Sequence, residues 1–141
     1  MNDSAKEAVA SFRRWSTAFN NRDTEAQIAE MHFPHMRLAH NVFQLWETSQ
    51  EFRSVQEEVT RRLENEGWHQ TVSLSVNPVQ TGLEKVHLVI RQSRQRKDGT
   101  EYNGFDTLWI FTKLNGHWGV QFRSSFLTNT QVNGYGSSER R

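Results

Sequence analysis

The chain contains no cysteine among its 141 residues. A disulfide framework, thiolate catalysis and cysteine-held metal are therefore excluded. Charge of one sign is also missing: 17 Lys and Arg stand against 16 Asp and Glu, a formal balance of +1. No bulk electrostatic pull toward nucleic acid or an acidic membrane surface follows from that, and neither partner is expected. No window approaches the roughly 18 consecutive apolar residues that span a bilayer. The opening Met1-Asn2-Asp3-Ser4 has neither a basic segment nor an apolar one behind it, so no secretory leader is read and a cytoplasmic protein is expected. There is no Gly-rich phosphate loop, no Gly-x-Ser-x-Gly elbow and no Ser/His/Asp order that supports nucleophilic catalysis.

Aromatic residues are present in quantity. Nine Phe and five Trp concentrate apolar area in few positions, within a hydrophobic content of 35%. The length suits one domain with one core. We expect a single domain over 1–141, with an ordered core of about 5–127 and a flexible Gly/Ser-rich tail over 128–141.

The apolar periodicity divides the chain in two. Ala8, Phe12, Trp15 and Phe19 recur at helical spacing behind an Asp3 or Ser4 cap. Asp23 caps a second helix from Thr24 to about Met31, which Pro34 stops. Two short strands follow, 36–40 and 42–46. Thr48 or Ser49 then caps a third helix carrying Val55, Val59 and Leu63, and Gly67 suits the left-handed position after it. From Trp68 the period changes to two. Trp68, Gln70, Val72, Leu74 and Val76 share one face, with a bulge or kink at Asn77-Pro78. Val86, Leu88 and Ile90 alternate in the next strand, and Lys97-Asp98-Gly99 makes a hairpin turn. The strands 106–114 and 118–127 flank Asn115-Gly116, a strong hairpin signal. In the last strand, strict alternation sets Gln121, Arg123 and Ser125 opposite the apolar residues. Phe105, Trp109 and Phe111 fall on a second strand face, which suggests pairing with another copy as a homodimer through the sheet.

Helices first, then a long antiparallel sheet, is an α+β arrangement. With the helix 11–20 running into Asn21-Arg22-Asp23, the segment His32-Phe33-Pro34-His35-Met36-Arg37-Leu38-Ala39-His40, and the closing Asn115-Gly116-His117-Trp118-Gly119-Val120 with Arg123-Ser124-Ser125, the chain resembles the NTF2-like superfamily (SnoaL-like, ketosteroid-isomerase-like). The resemblance implies a cone: three N-terminal helices packed on a curved antiparallel sheet, with a cavity between them. That superfamily includes isomerases, dehydratases, cyclases and non-catalytic binding domains, so the fold does not choose a function. The resemblance places His40 near the general-base carboxylate of isomerase members. It puts Trp15 and Phe19 near their first-helix tyrosine. Neither match is kept, so steroid isomerisation is not expected.

His40 titrates near neutrality and suits a general base, or else it is a hydrogen-bonded loop histidine. Asp106 shares parity with Leu108 and Ile110 on an expected inner face, where it would orient His40 or act as its acid partner; the other reading is an exposed strand end. Trp15, Phe19, Phe33, Trp46 and Trp68 line a cavity or fill a core. His35 is a polar contact to the cavity. Arg123, like Arg91, either binds a planar anion such as carboxylate or sits on a solvated face. His32 and His35 bracket Phe33-Pro34 but have no third ligand at a suggestive spacing, so no metal is expected. The combined expectation is a cofactor-independent protein taking a small hydrophobic molecule. It would transfer protons on a carbonyl-type ligand as an isomerase, dehydratase or cyclase, or bind a ligand or partner without catalysis.

Overall fold

The computed structural model describes residues 2–127; the expected tail lies outside them. Four helical segments and six strands follow one another: α1 (Asp3–Asn20), α2 (Thr24–Ile28), β1 (Met31–Ala39), β2 (Val42–Trp46), α3 (Ser49–Arg53), α4 (Gln56–Asn65), β3 (Gln70–Thr81), β4 (Lys85–Gln95), β5 (Glu101–Leu114) and β6 (His117–Ser125). The strands form one sheet in the order β2-β1-β6-β5-β4-β3. All neighbouring pairs are antiparallel except β1 with β6, which is parallel. The sheet is curved and does not close, and the helices pack against it.

Several boundaries differ from the sequence expectation, among them the start of the fifth strand, expected at 106 and found at Glu101. Asn2, not Asp3 or Ser4, caps α1, its side-chain oxygen accepting from the Ala5 amide at 2.8 Å. The second helix ends at Ile28, and Met31 already belongs to β1. Long-range partners decide this. The Glu30 carbonyl accepts from the Val120 amide at 2.9 Å, and the Glu30 carboxylate takes Ser11 Oγ at 2.7 Å and Arg14 Nε at 2.8 Å. The chain is thus caught by β6 and α1 before Pro34 can end a helix. Finally, the third helix is two segments, broken at Ser54-Val55.

The core lies between α1 and the concave face of β4, β5 and β6. Ala8, Phe12 and Trp15 from α1 meet Val86, Leu88 and Ile90 of β4, Trp109 and Phe111 of β5, and Trp118 and Val120 of β6. Asn20, at the end of α1, fastens the helix to β3. Its side-chain amide donates to the Thr71 carbonyl at 2.9 Å, and its side-chain oxygen accepts from the Thr71 amide at 2.9 Å.

Phe105, Thr107, Trp109 and Phe111 all point inward and are buried. Phe105, Trp109 and Phe111 therefore belong to the helix-covered face, not to a second one, and the homodimer expectation loses the aromatics on which it rested. Asp106 takes the opposite parity. It is exposed on the convex face and pairs with Arg91, directly across on β4, at 3.3 Å.

Two single-residue bulges set which side chains enter the concave face. Along β3 the register against β4 shifts between Ser73 and Ser75, leaving Leu74 outside the ladder and 58% exposed. Along β6 the register against β5 shifts so that Val120 faces Phe111 while Phe122 faces Ile110. Gln121 is the extra residue. A side-chain period of two means that each bulge inverts the facing of everything beyond it. Trp118 and Val120 point inward before the β6 bulge; Arg123 and Ser125, opposite Trp109 and Thr107, point inward after it. Gln121 spans the irregularity, donating to the Pro34 carbonyl at 3.2 Å and accepting from Thr112 Oγ1 at 2.9 Å. Beside it, Gly119 is required by contact: a Cβ there would stand 2.6 Å from the His32 ring.

Candidate functional site

The concave face does not fill completely at the end where both bulges have acted. A cavity of about 50 Å³ remains there, lined by Trp15, Ser16 and Phe19 of α1, Arg37 of β1, Thr71 of β3, Gln92 and Arg94 of β4, Phe105 and Trp109 of β5, Arg123 and Ser125 of β6, and Leu127. A water occupies roughly 10–15 Å³ on such a measure, so the space suits a small polar group with a few neighbours, not a steroid nucleus.

Arg123 is the centre of this site. Its guanidinium lies beside two indoles that meet edge-on, 5.2 Å from the Trp15 ring centroid and 5.5 Å from that of Trp109. Its Nε–H donates to His35 Nε2 at 2.9 Å. His35 is fully buried, and its Nδ1 meets the Val120 carbonyl at 3.1 Å. A carbonyl only accepts, so Nδ1 carries the proton and Nε2 keeps the lone pair that Arg123 needs. That assignment demands a neutral imidazole.

The electrostatics agree. Burial first, and then the guanidiniums of Arg123 and Arg37, push the His35 pKa well below its ordinary 6.5. Arg123 is itself held well below its usual value, by burial and then by Arg37. Arg37 is pushed down to about 10, by burial and then by Arg94 and Arg62. Around this one cavity Arg94 thus disfavours the charge of Arg37, and Arg37 that of Arg123. Arg94 has a partial counterion in Glu66 at 3.7 Å, and Arg37 donates to Gln44 Oε1 at 3.2 Å. No carboxylate lines the cavity.

Two further polar atoms on lining residues, Trp15 Nε1 and Ser16 Oγ, are buried without a hydrogen-bond partner among the described residues. Buried polar groups are almost always satisfied, and two more such orphans, Gln27 Nε2 and His87 Nε2, lie on residues outside the lining.

His35 has a measurable consequence. Its folded-state pKa is depressed, so below about pH 6.5 the unfolded chain binds a proton here that the folded chain refuses. Stability contributed by the neutral ring is complete above that pH and declines as pH falls. We expect urea midpoints to drop between about pH 6.5 and 5, above the carboxylate range. In His35→Gln the decline should be shallower, because an amide can accept from Arg123 and donate to Val120 without titrating. Some slope should persist, since burial also lowers the pKa of His32 and His87. Equal slopes in parent and variant would mean that His35 is not the group responsible.

The sequence-derived candidates separate into three sets. Trp15, Phe19 and Arg123 line the cavity. Phe33, His35 and Trp46 form, with Phe52, an aromatic cluster behind Arg123, with ring centroids 5.6–6.5 Å apart. Trp68 packs on Phe19 at 5.0 Å and carries Arg22 over its outer face at 4.1 Å. His40 and Asp106 are both exposed, and neither lines the cavity. His40 sits in the turn after β1 in a left-handed conformation, with φ of 55°. The inner facing expected for Asp106 is corrected by the parity of β5, which turns Phe105 and Thr107 inward on either side of it. His32 and His35 do not converge: His32 Nε2 bonds the His117 carbonyl at 2.9 Å, while His35 faces Arg123.

Arg37, Arg94, Ser16 and Gln92 were not anticipated. For Arg94 and Gln92 a signal existed, because they continue the parity of Val86, Leu88 and Ile90 along β4. Ser16 lies next to Trp15 on a helix whose apolar stripe drew attention away from it.

No helix among the described residues is long and apolar enough to cross a membrane. Several solved structures share this fold at low sequence identity. An NTF2-like protein with a cystatin-like fold from Novosphingobium aromaticivorans is 12% identical, with a TM-score of 0.71 over 94% of this chain and 84% of that one. A ketosteroid isomerase-like protein from Erwinia carotovora atroseptica is 18% identical, with a TM-score of 0.64 over 89% of this chain and 97% of that one. A protein of unknown function with a cystatin-like fold from Nostoc punctiforme is 12% identical, with a TM-score of 0.66 over 86% of this chain and 89% of that one. At these identities the likeness establishes the fold. No curated protein matches the chain significantly. A family model described as NTF2-like protein (DUF6841) matches residues 6–123, from α1 through the β6 bulge to Arg123, and the chain belongs to that NTF2-like family.

Proposed function

We propose that this chain is a small-molecule binding domain whose ligand occupies the cavity between α1 and the bulged ends of β3 and β6. The observation that carries this reading is Arg123: a half-buried guanidinium set against the rings of Trp15 and Trp109, with no carboxylate in the lining to balance it. Burying a charge costs several kcal/mol unless it is paired. A fold that places one beside an unfilled, aromatic-walled space has the features of a ligand site.

Binding is favoured over proton transfer by the composition of the same lining. Its titratable members are three arginines. A general base must reach the proton it abstracts, directly or through one water. The nearest imidazole, His35, has its Nε2 lone pair committed to Arg123. His40 and Asp106 lie on exposed positions outside the lining.

A cavity-blocking variant tests the reading. Ser16→Leu places a branched side chain at a lining position near one end of α1. A chemically mixed set of small molecules, neutral and charged, would be screened by ligand-observed NMR against parent and variant. We expect mutually competing hits that vanish in Ser16→Leu, with the far-UV circular dichroism retained. Hits that persist in the blocked variant, or no hits of any class against the parent, would sink the reading.

A further inference from the structure

The donor geometry around Arg123 narrows the ligand class, on the premise that the cavity is the ligand site. Of the guanidinium's three nitrogens, Nε is committed to His35, and among the described residues no hydrogen bond ties either terminal nitrogen. What Arg123 offers is therefore its end-on pair, Nη1 and Nη2, two parallel donors at the separation of the two oxygens of a carboxylate. Around them the available groups are donors or amphoteric hydroxyls: Ser16 Oγ and Trp15 Nε1 lack partners. Ser125 Oγ, by contrast, is engaged with Thr107 Oγ1 at 2.8 Å.

We propose that the cavity takes a small monocarboxylic acid, its carboxylate held end-on by Arg123 and its compact carbon body set against Trp15, Phe105 and Leu127.

Two features favour a single planar charge over a tetrahedral dianion. First, the positive charge is already partly offset, because Arg94 has Glu66 at 3.7 Å. Second, the walls include Trp15, Phe19, Phe105, Trp109 and Leu127. An inorganic dianion would leave that apolar surface uncovered, whereas an alkyl or aryl acid removes it from water at about 25 cal/mol per Å². The His35 bond contributes by fixing the guanidinium plane, so that little orientational freedom remains to be lost on binding.

The test uses the full chain and titration calorimetry with butyrate and benzoate, their neutral isosteres butyramide and benzamide, and inorganic phosphate. Each is titrated into the parent, Arg123→Met, Arg123→Lys and the blocked Ser16→Leu. A hydrogen bond to a charged group is worth about 1.5–3 kcal/mol, so the amides should bind roughly 10–100-fold more weakly than the acids. Arg123→Met should lose a similar factor for the acids and little for the amides. Arg123→Lys should recover only part, because an ammonium lacks the fork. Amides binding as well as acids, or acids binding as well to Arg123→Met, would overturn the carboxylate assignment while leaving the pocket standing. Phosphate binding more tightly than either acid would overturn it in the same way. Acid binding undiminished in Ser16→Leu would instead overturn the premise that this cavity is the site.

Discussion

An Arg123→Met variant is expected to unfold at a higher temperature than the parent when no ligand is present. The parent holds a half-buried guanidinium beside Arg37, with no carboxylate in the cavity lining, and its pKa is depressed accordingly. Effective desolvation of such an ion costs several kcal/mol. Two contributions oppose that cost. Cation–π contact with Trp15 and Trp109, at 5.2 and 5.5 Å, returns about 0.5–2 kcal/mol each. The bond to His35 Nε2 returns about 1 kcal/mol, and its loss leaves a buried acceptor. Methionine fills a gap between aromatic rings well, since its thioether is unbranched and polarizable. We expect a net gain of about 1–2 kcal/mol, or about 3–6 °C in the thermal midpoint for a chain of this size. The same variant should gain no stability from added benzoate, while the parent is stabilised by mass action. A lower midpoint in the variant would mean that the two indole contacts and His35 outweigh desolvation. Arg123 would then be a structural residue, and the argument for a charge kept for a ligand would fail.

Trp109→Ala should be the most damaging single substitution on the concave face. Trp109 is 3% exposed and meets three other rings: Phe12 edge-on at 5.0 Å, Trp15 edge-on at 4.9 Å and Phe111 stacked at 6.2 Å. Its indole N–H donates to Thr107 Oγ1 at 3.0 Å, so truncation removes one of that hydroxyl's partners. Deleting a buried Trp costs about 3–5 kcal/mol through lost transfer energy and the cavity left behind. Native domains have about 5–15 kcal/mol in all, so a third or more of the total would go. Chemical denaturation measures it directly. Trp109→Phe should lose clearly less, because a ring keeps contact with Phe12 and Trp15. A loss under about 1 kcal/mol for the alanine variant would show that the sheet relaxes into the space and that the ring cluster is not the keystone described here.

These two residues sit opposite each other on β5 and β6, yet they differ in how far the sequence reveals them. Trp109 belongs to an unbroken alternation, Phe105, Thr107, Trp109, Phe111, and any parity count groups the four correctly. What that count leaves open is which face the helices cover. The pairing of α1 with the concave side decides it, and places these aromatics in the core. Asp106 moves to the convex surface by the same step. Arg123 is different, because counting from Trp118 puts it on the face opposite Val120. Only the extra residue Gln121, held between Pro34 and Thr112, turns it inward. Leu74 does the same for β3, moving Thr71 and Ser73 to the face they share with Arg94 and Gln92.

The local signals that a sequence carries well are those in which neighbours along the chain interact. Asp23 accepts from the Ala26 amide at 3.1 Å and Thr48 Oγ1 from the Glu51 amide at 3.2 Å, both as helix caps. Asn115 and Gly116 adopt φ of 51° and 79°, the left-handed pair of a tight hairpin. Gly67, at φ of 100°, follows the last helix as a left-handed residue. From such signals come the order of helices and strands, the α+β class and the family likeness. The family likeness implied a cavity, but its polar lining was not among these signals. That lining depends on two bulges, and a bulge is stable only because strands distant in sequence supply the partners that hold the extra residue. The amino-acid sequence by itself therefore determined an NTF2-like sheet carrying helices on one side. The tertiary structure decided that Arg37, Arg94 and Arg123 share one small cavity and that His40 and Asp106 do not line it, because side-chain facing beyond a bulge is a property of pairing between strands and not of any one strand.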